Sequence, residues 1–228
     1  MKIFSRTMLG VALVAALLIG FGSTAHADFS LELINGTSTV TITDNGSLDA
    51  NPATGSIKYN GTVGTWDVSV TLAETYPVAG STAQPELDIE SLIATGGSGS
   101  LQVEASATGY QAPSASPDFT TLTLEAPIGT ASVVVSENAS DSLFGATGTN
   151  TTIASLSSPG TTTASFVLPT SAYSLTEIIN IPAGTVPANS YDRVVSDFTV
   201  PEPLSILFLG LTLLGGGVYT RLRKKNNA

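Results

Sequence analysis

Any chemistry in this chain must come from carboxylates and hydroxyls. The sequence has no cysteine and one histidine, His26. His26 falls in an N-terminal stretch that reads as a cleaved export signal, so the remainder carries neither imidazole nor thiol. That removes a Ser-His-Asp triad, a Cys-His pair and a histidine-ligated zinc site. A Ser-Lys dyad would have to use Lys58, which sits in a strand-like segment with no Ser-x-x-Lys spacing before it. Two oxygen chemistries survive: a pair of carboxylates acting on a glycosidic bond, and a calcium site built from oxygen ligands alone. Asp44, Asp49 and Asn51 share one glycine-containing loop and are the candidate calcium ligands. Their spacing does not follow the EF-hand alternation ending in Glu. Asp and Asn are also what turns use to hydrogen-bond their own backbone. Among the seventeen acidic residues between Asp28 and Val200, no spacing singles out a catalytic pair. The expectation is a protein that is not an enzyme and needs no cofactor.

The elements that must position these residues read as strands. About fifty of the residues from Asp28 to Val200 are Ser or Thr, and Val, Ile, Leu and aromatics come in short alternating bursts. Long stretches with a 3.6-residue apolar period are missing, which argues for an all-β domain. Ser30 to Ile34 alternates, Asn35-Gly36 carries a type I′ turn signal, and Thr37 to Thr43 alternates again. Asp44-Asn45-Gly46-Ser47 then turns the chain. From Ser56 to Thr75, Asn60-Gly61 and Gly64 are expected to break the run, and Trp66, Val68, Val70 and Leu72 to line one face. Further strands are expected at 86–94, 100–107, 119–125, 131–137, 151–156, 164–168, 173–181 and 192–200. Gly, Pro, Asn and Ser turns separate some ten strands, which predicts an antiparallel two-sheet sandwich or jelly roll. A β-solenoid is the competing architecture, but no fixed-period repeat supports it. Five Asn-x-Ser/Thr triplets, at Asn35, Asn45, Asn60, Asn138 and Asn150, are what chance gives in so Ser-, Thr- and Asn-rich a chain.

Charge narrows the partners. Between Asp28 and Val200 the only basic residues are Lys58 and Arg193, against seventeen acids. Such a surface cannot neutralise phosphates, so nucleic acid and anionic lipid are disfavoured. It suits a soluble, self-repelling domain that attracts cations diffusely.

The two ends carry the remaining basic residues. Lys2 and Arg6 precede an apolar run, Met8 to Phe21, that is too short for an ordinary spanning helix. Ala25-His26-Ala27 supplies a small-x-small cleavage site, so residues 1–27 are expected to be a signal peptide. At the other end, Val200-Pro201-Glu202-Pro203 leads into the uncharged run Leu204 to Tyr219. As a helix that run would be about 24 Å long, short of a ~30 Å hydrocarbon core. Leu222 extends it, and Arg221 and Arg223 can snorkel to the interface. Pro203 and Glu202 suit a helix start. Arg221, Arg223, Lys224 and Lys225 form a basic stop that places the C-terminus in the cytoplasm. The expected domains are a signal peptide at 1–27, a β ectodomain at 28–199 and a tail at 200–228. The tail comprises the motif 200–203, one transmembrane helix at 204–220 and a basic end at 221–228.

This tripartite tail resembles the PEP-CTERM sorting signal of Gram-negative bacteria. The resemblance rests on Val200-Pro201-Glu202-Pro203, the apolar helix with Gly215-Gly216-Gly217, and the terminal Arg221-Leu222-Arg223-Lys224-Lys225. It covers only the last 29 residues. It implies that an exosortase, an integral-membrane transpeptidase-like enzyme, reads the tail and cuts near the motif. It further implies an inner-membrane precursor, processed by signal peptidase and exosortase, that ends at the cell surface or outside the cell beside exopolysaccharide and biofilm. A carbohydrate-binding or carbohydrate-active module is the alternative. It would need exposed rings from Trp66, Tyr59, Tyr76, Tyr110, Tyr173 or Tyr191. Trp66 reads more simply as a core residue between two sheets.

Overall fold

The computed structural model describes residues 28–83, 85–111, 117–126, 130–186 and 191–199. Its strands are β1 (Phe29–Asn35), β2 (Ser38–Thr43), β3 (Ser56–Val63), β4 (Trp66–Glu74), β5 (Glu86–Thr95), β6 (Leu101–Tyr110), β7 (Pro117–Glu125), β8 (Ser132–Asn138), β9 (Asn150–Leu156), β10 (Gly160–Val167), β11 (Tyr173–Ile181) and β12 (Tyr191–Thr199). One turn of 3-10 helix at Leu143–Gly145 lies between β8 and β9. Among the described residues twelve strands thus stand where about ten were expected, and the Ser56 to Thr75 stretch is two of them. The segment 173–181, which Leu175, Ile178 and Ile179 could have made a helix, is a strand, as its flanking prolines suggested.

All pairings are antiparallel and form two six-stranded sheets, ordered β2-β1-β6-β11-β8-β9 and β10-β7-β12-β5-β4-β3. From β5 onward the order is that of a long hairpin rolled up. β8 pairs with β9, β7 with β10, β6 with β11, and β5 with β12. Apart from β8 and β9 at the tip, successive strands are thereby dealt to opposite sheets, which is the jelly-roll pattern of two Greek keys. The hairpin β1-β2 extends one sheet and β3-β4 the other. Leu31, Leu33, Val103, Ala105, Val133, Leu175 and Ile179 of the first sheet join Trp66, Val70, Leu87, Ile89, Leu122 and Phe198 of the second in one core. The antiparallel order leaves no place for a solenoid.

Three local readings change. The first turn is one residue later than its Asn-Gly signal. Asn35 pairs with Ser38, so Gly36 and Thr37 are the central residues. Gly36 has φ +62° and Thr37 is not among the positive-φ residues, the sign pattern of a type II′ turn. Asn35 is therefore released from the turn. Its Nδ2 donates to the carbonyls of Ser98 (3.0 Å) and Ser100 (2.8 Å), and its Oδ1 accepts from Thr65 N–H (3.3 Å). It ties three loops at one end of the sandwich. Second, Asn60-Gly61 does not break β3. Gly61 sits under the Tyr59 ring, and a Cβ there would lie 2.3 Å from Tyr59 Oη. An aromatic covering a strand glycine supplies the packing that the missing side chain does not. The turn is Gly64-Thr65, between the paired Val63 and Trp66.

Third, β4 does not hold one phase. Trp66, Val68 and Val70 are buried as expected, and Ala73, of the opposite parity, is buried too. The β4-β5 register shifts on either side of Leu72. The buried set of β5 slips likewise, from Leu87 and Ile89 to Leu92 and Ala94, where β12 shifts between Val194 and Ser196. Together with a shift between Ile57 and Tyr59 in β3, the irregularities cross four neighbouring strands. The extra residues lie in β4, between Val70 and Ala73, and in β5, between Ile89 and Leu92, where they flip the inward parity and bend the sheet. The expected C-terminal membrane helix lies outside the described residues, among which no helix is long and apolar enough to cross a membrane.

Candidate functional site

The outer face of the second sheet gathers the carboxylates. In β5, Leu87 and Ile89 point to the core, so the alternating Glu86, Asp88 and Glu90 face outward. Register sets Asp88 opposite Glu74 of β4 and opposite Asp197 of β12. Glu74 in turn faces Ser56 of β3, while Asp197 faces Thr123 of β7, which faces Thr161 of β10. One row, Ser56-Glu74-Asp88-Asp197-Thr123-Thr161, therefore crosses all six strands, with three acids side by side at its centre. Cβ atoms directly opposite each other on neighbouring strands are about 4.5–5.5 Å apart. Like charges at that spacing repel.

The sheet answers by holding protons. Burial pushes Asp88 up to about 7, and Asp197, Glu90, Glu86 and Glu74 add to it. Burial also raises Asp197, with Glu90 adding to it. Glu86 is raised by burial and by Asp197 and Glu90, against a backbone hydrogen bond from Gly80. Glu74 is raised by burial and by Glu90 and Glu86, against a hydrogen bond from Ser56 Oγ (3.5 Å). Asp88 Oδ1 and Asp197 Oδ1 are buried with no hydrogen-bond donor among the described residues. At the uncharged end Thr123 and Thr161 share a hydroxyl hydrogen bond of 3.2 Å. A shallow open hollow of about 450 Å³ adjoins that end, lined by Thr123, Leu124, Glu125, Ala126, Pro159, Gly160 and Thr161. It brings no second carboxylate. The row can share protons and gather cations diffusely.

The candidate calcium loop is close by and is knit to itself. Asp44 Oδ2 accepts Gly55 N–H (2.8 Å). Asp49 Oδ1 accepts Asn51 N–H (2.8 Å) and Lys58 N–H (2.9 Å), and its Oδ2 accepts Asn45 N–H (2.9 Å). Asn51 Oδ1 accepts Ala53 N–H (3.0 Å). Its Nδ2 donates to Ser56 Oγ (2.8 Å), joining the loop to the end of the acidic row. Asp44 is raised by burial and by Asp49, opposed by its backbone and Asn45 hydrogen bonds. These oxygens do the work of turn residues. No group of three Asp or Glu among the described residues is gathered closely enough to hold a metal ion.

The aromatic candidates are mostly interior. Trp66 is 1% exposed, and Tyr59, Tyr110 and Tyr173 are buried with it. Tyr110 and Tyr173 rings sit 5.9 Å apart at the core. Tyr110 hydroxyl hydrogen-bonds Thr75 Oγ1 and the Glu86 carbonyl, and burial raises it. Tyr76 is half-buried, and nothing is described of the Tyr191 side chain. These rings build no open platform. Ala25, Ala27, the motif Val200-Pro201-Glu202-Pro203 and the basic Arg221, Arg223, Lys224 and Lys225 lie outside the described residues.

No protein-family model and no curated protein matches the chain. Among solved structures, TmCBM61 in complex with beta-1,4-galactotriose is similar at 10% identity and a TM-score of 0.33, over 60% of this chain and 88% of that one. Infectious bursal disease virus, Gx strain, is similar at 12% identity and a TM-score of 0.29, over 78% of this chain and 52% of that one. Both TM-scores are too low to carry a shared fold, so neither likeness bears on what this chain binds.

Proposed function

We propose that the chain is a non-enzymatic surface or matrix protein. It is exported by its N-terminal signal, held in the inner membrane by its C-terminal helix, and cut near Glu202 by an exosortase. The mature domain then resides in or on exopolysaccharide at the cell surface. The observation that carries this reading is the tail: motif, apolar run and basic stop, in that order, at residues 200–225. The domain it would deliver supports it. The last strand ends at Thr199, directly before Val200-Pro201, so the motif follows the folded body without a spacer. Two prolines there favour an extended chain that an enzyme can grip. Of the carboxylates of the sandwich, Glu74, Asp88 and Asp197 form a like-charged row and Asp44 and Asp49 serve a turn network.

Removing Pro201 to Ala228 tests the reading. Cell fractionation should then find the protein in the periplasm or medium without a membrane-bound precursor, whereas the full chain passes through the inner membrane to the surface. An unchanged distribution, or a full chain confined to the cytoplasm, would overturn it.

A further inference from the structure

A jelly roll leaves four strand edges open, and β10 is the longest of them without a guard. Among the described residues β10 ends the second sheet, pairing with β7 alone through eight consecutive residue pairs without a register shift. Edges normally carry Lys, Pro or a bulge that discourages a further strand. β10, Gly-Thr-Thr-Thr-Ala-Ser-Phe-Val, has none of these. The other edges differ. β3 has an exposed Lys58 and a register shift. β9 meets β8 through a shift, and β2, which likewise has no Lys, Pro or shift, is shorter at six pairs. Along β10, Thr161, Thr163, Ser165 and Val167 are exposed, while Thr162, Ala164 and Phe166 are partly covered. Val167, 49% exposed, is one of the few large apolar side chains in solvent.

The occupant follows from charge and symmetry. With seventeen acids against two bases from Asp28 to Val200, copies of this domain repel over most of their surface. The β10 edge carries no charge, and the acidic row has already given way to Thr123 and Thr161 where it reaches this edge. β10 is also complementary to itself. An antiparallel pair about a two-fold axis keeps like faces together when centred on one residue, and centring on Thr163 matches Gly160 to Phe166 throughout. On the outer face Thr163 meets its own copy and Thr161 meets Ser165. On the inner face Thr162 meets Ala164 and Phe166 covers Gly160. Thr-Thr and Thr-Ser pairs and an aromatic over glycine are favourable cross-strand neighbours.

We propose that β10 is a self-association edge. Two copies join β10 to β10 antiparallel about Thr163, which turns two six-stranded sheets into one continuous sheet across an isologous interface.

The chain has no cysteine, so one introduced thiol reports the contact without background. Sedimentation of the purified full chain at high micromolar concentration should show a dimer. Thr163→Lys, which sets two ammonium groups against each other at the axis, should give a monomer that still melts cooperatively, at a temperature that no longer depends on protein concentration. Under mild oxidation Thr163→Cys should form a disulfide-linked dimer. Thr161→Cys should not, because the two positions would be about 13 Å apart along the strands, too far for a disulfide. A monomeric parent chain would overturn the proposal. So would a dimer that survives Thr163→Lys, or equal cross-linking at positions 161 and 163.

Discussion

Asp88 is the residue on which the physics of the outer face turns. Its carboxyl is pushed up to about 7 from an ordinary 3.8. The folded protein therefore keeps a proton there that the unfolded chain releases. The native state binds more protons between those two values, so stability is greatest at the acid end of that window. It falls as pH rises towards 7 and is level above it. The domain should melt higher at about pH 5 than at about pH 8. Asp88→Asn should remove about 1–2 kcal/mol of that difference once solvent screening is allowed for. Thermal melts of both proteins across the range check this, and an undiminished slope in the variant would contradict it. Asn35 makes the opposite kind of contribution, holding three loops through one amide. Asn35→Ala leaves two carbonyls and one N–H to find other partners and should cost about 1–3 kcal/mol in a denaturant titration. Of the three acids in the row, the position of Asp88 was legible beforehand, together with its β5 neighbours Glu86 and Glu90. Glu86-Leu87-Asp88-Ile89-Glu90 is a strict alternation that puts three acids on one face of a strand. Glu74 and Asp197 join it only through pairings of β4 with β5 and of β5 with β12, and the second closes a loop of about a hundred residues. No local spacing carries that information. Glu177 is a converse case. Tyr173, Leu175, Ile179 and Ile181 share its phase in β11, so alternation alone assigns that carboxyl to the inner face, where it is 0% exposed.

At the scale of elements, alternation located the strands, and turn chemistry located most of their ends. It did not locate the phase slips. A bulge needs one extra residue and no particular side chain, so Val70 to Ala73 and Ile89 to Leu92 read as unbroken alternation with noise. The slips have a measurable consequence. Deleting Ser91 should straighten β5 and move either Leu87 and Ile89 or Leu92 and Ala94 to the outer face. That would expose about half of the strand's core contribution. The variant should lose the near-ultraviolet circular dichroism of the buried Trp66 and its cooperative melt. A sharp native-like transition would show that the bulge is dispensable. The Asn35-Gly36 turn was displaced by one residue for a related reason. A two-residue loop fixes the count between paired positions, and the pairing of Asn35 with Ser38 leaves Gly36 to take the positive φ.

For the whole molecule, the strand count and turn spacing pointed to a sandwich or jelly roll, and the strand order of β5 to β12 is the rolled hairpin of the latter. The domain so built is acidic and offers tightly used turn carboxylates and buried rings. The most informative features for cellular role remain the two terminal segments flanking it. The proposed export and sorting would require two cuts, one after Ala27 and one near Pro201-Glu202-Pro203, and both would change the mass of the chain. Intact mass spectrometry of the protein recovered from membrane, cell surface and medium measures them together. The predicted result is a surface or medium species that begins at Asp28 and ends near Glu202, with a longer precursor in the membrane that still carries Ala228. A protein that reaches the surface still ending at Ala228, or that is found only with Met1 in place, would contradict it.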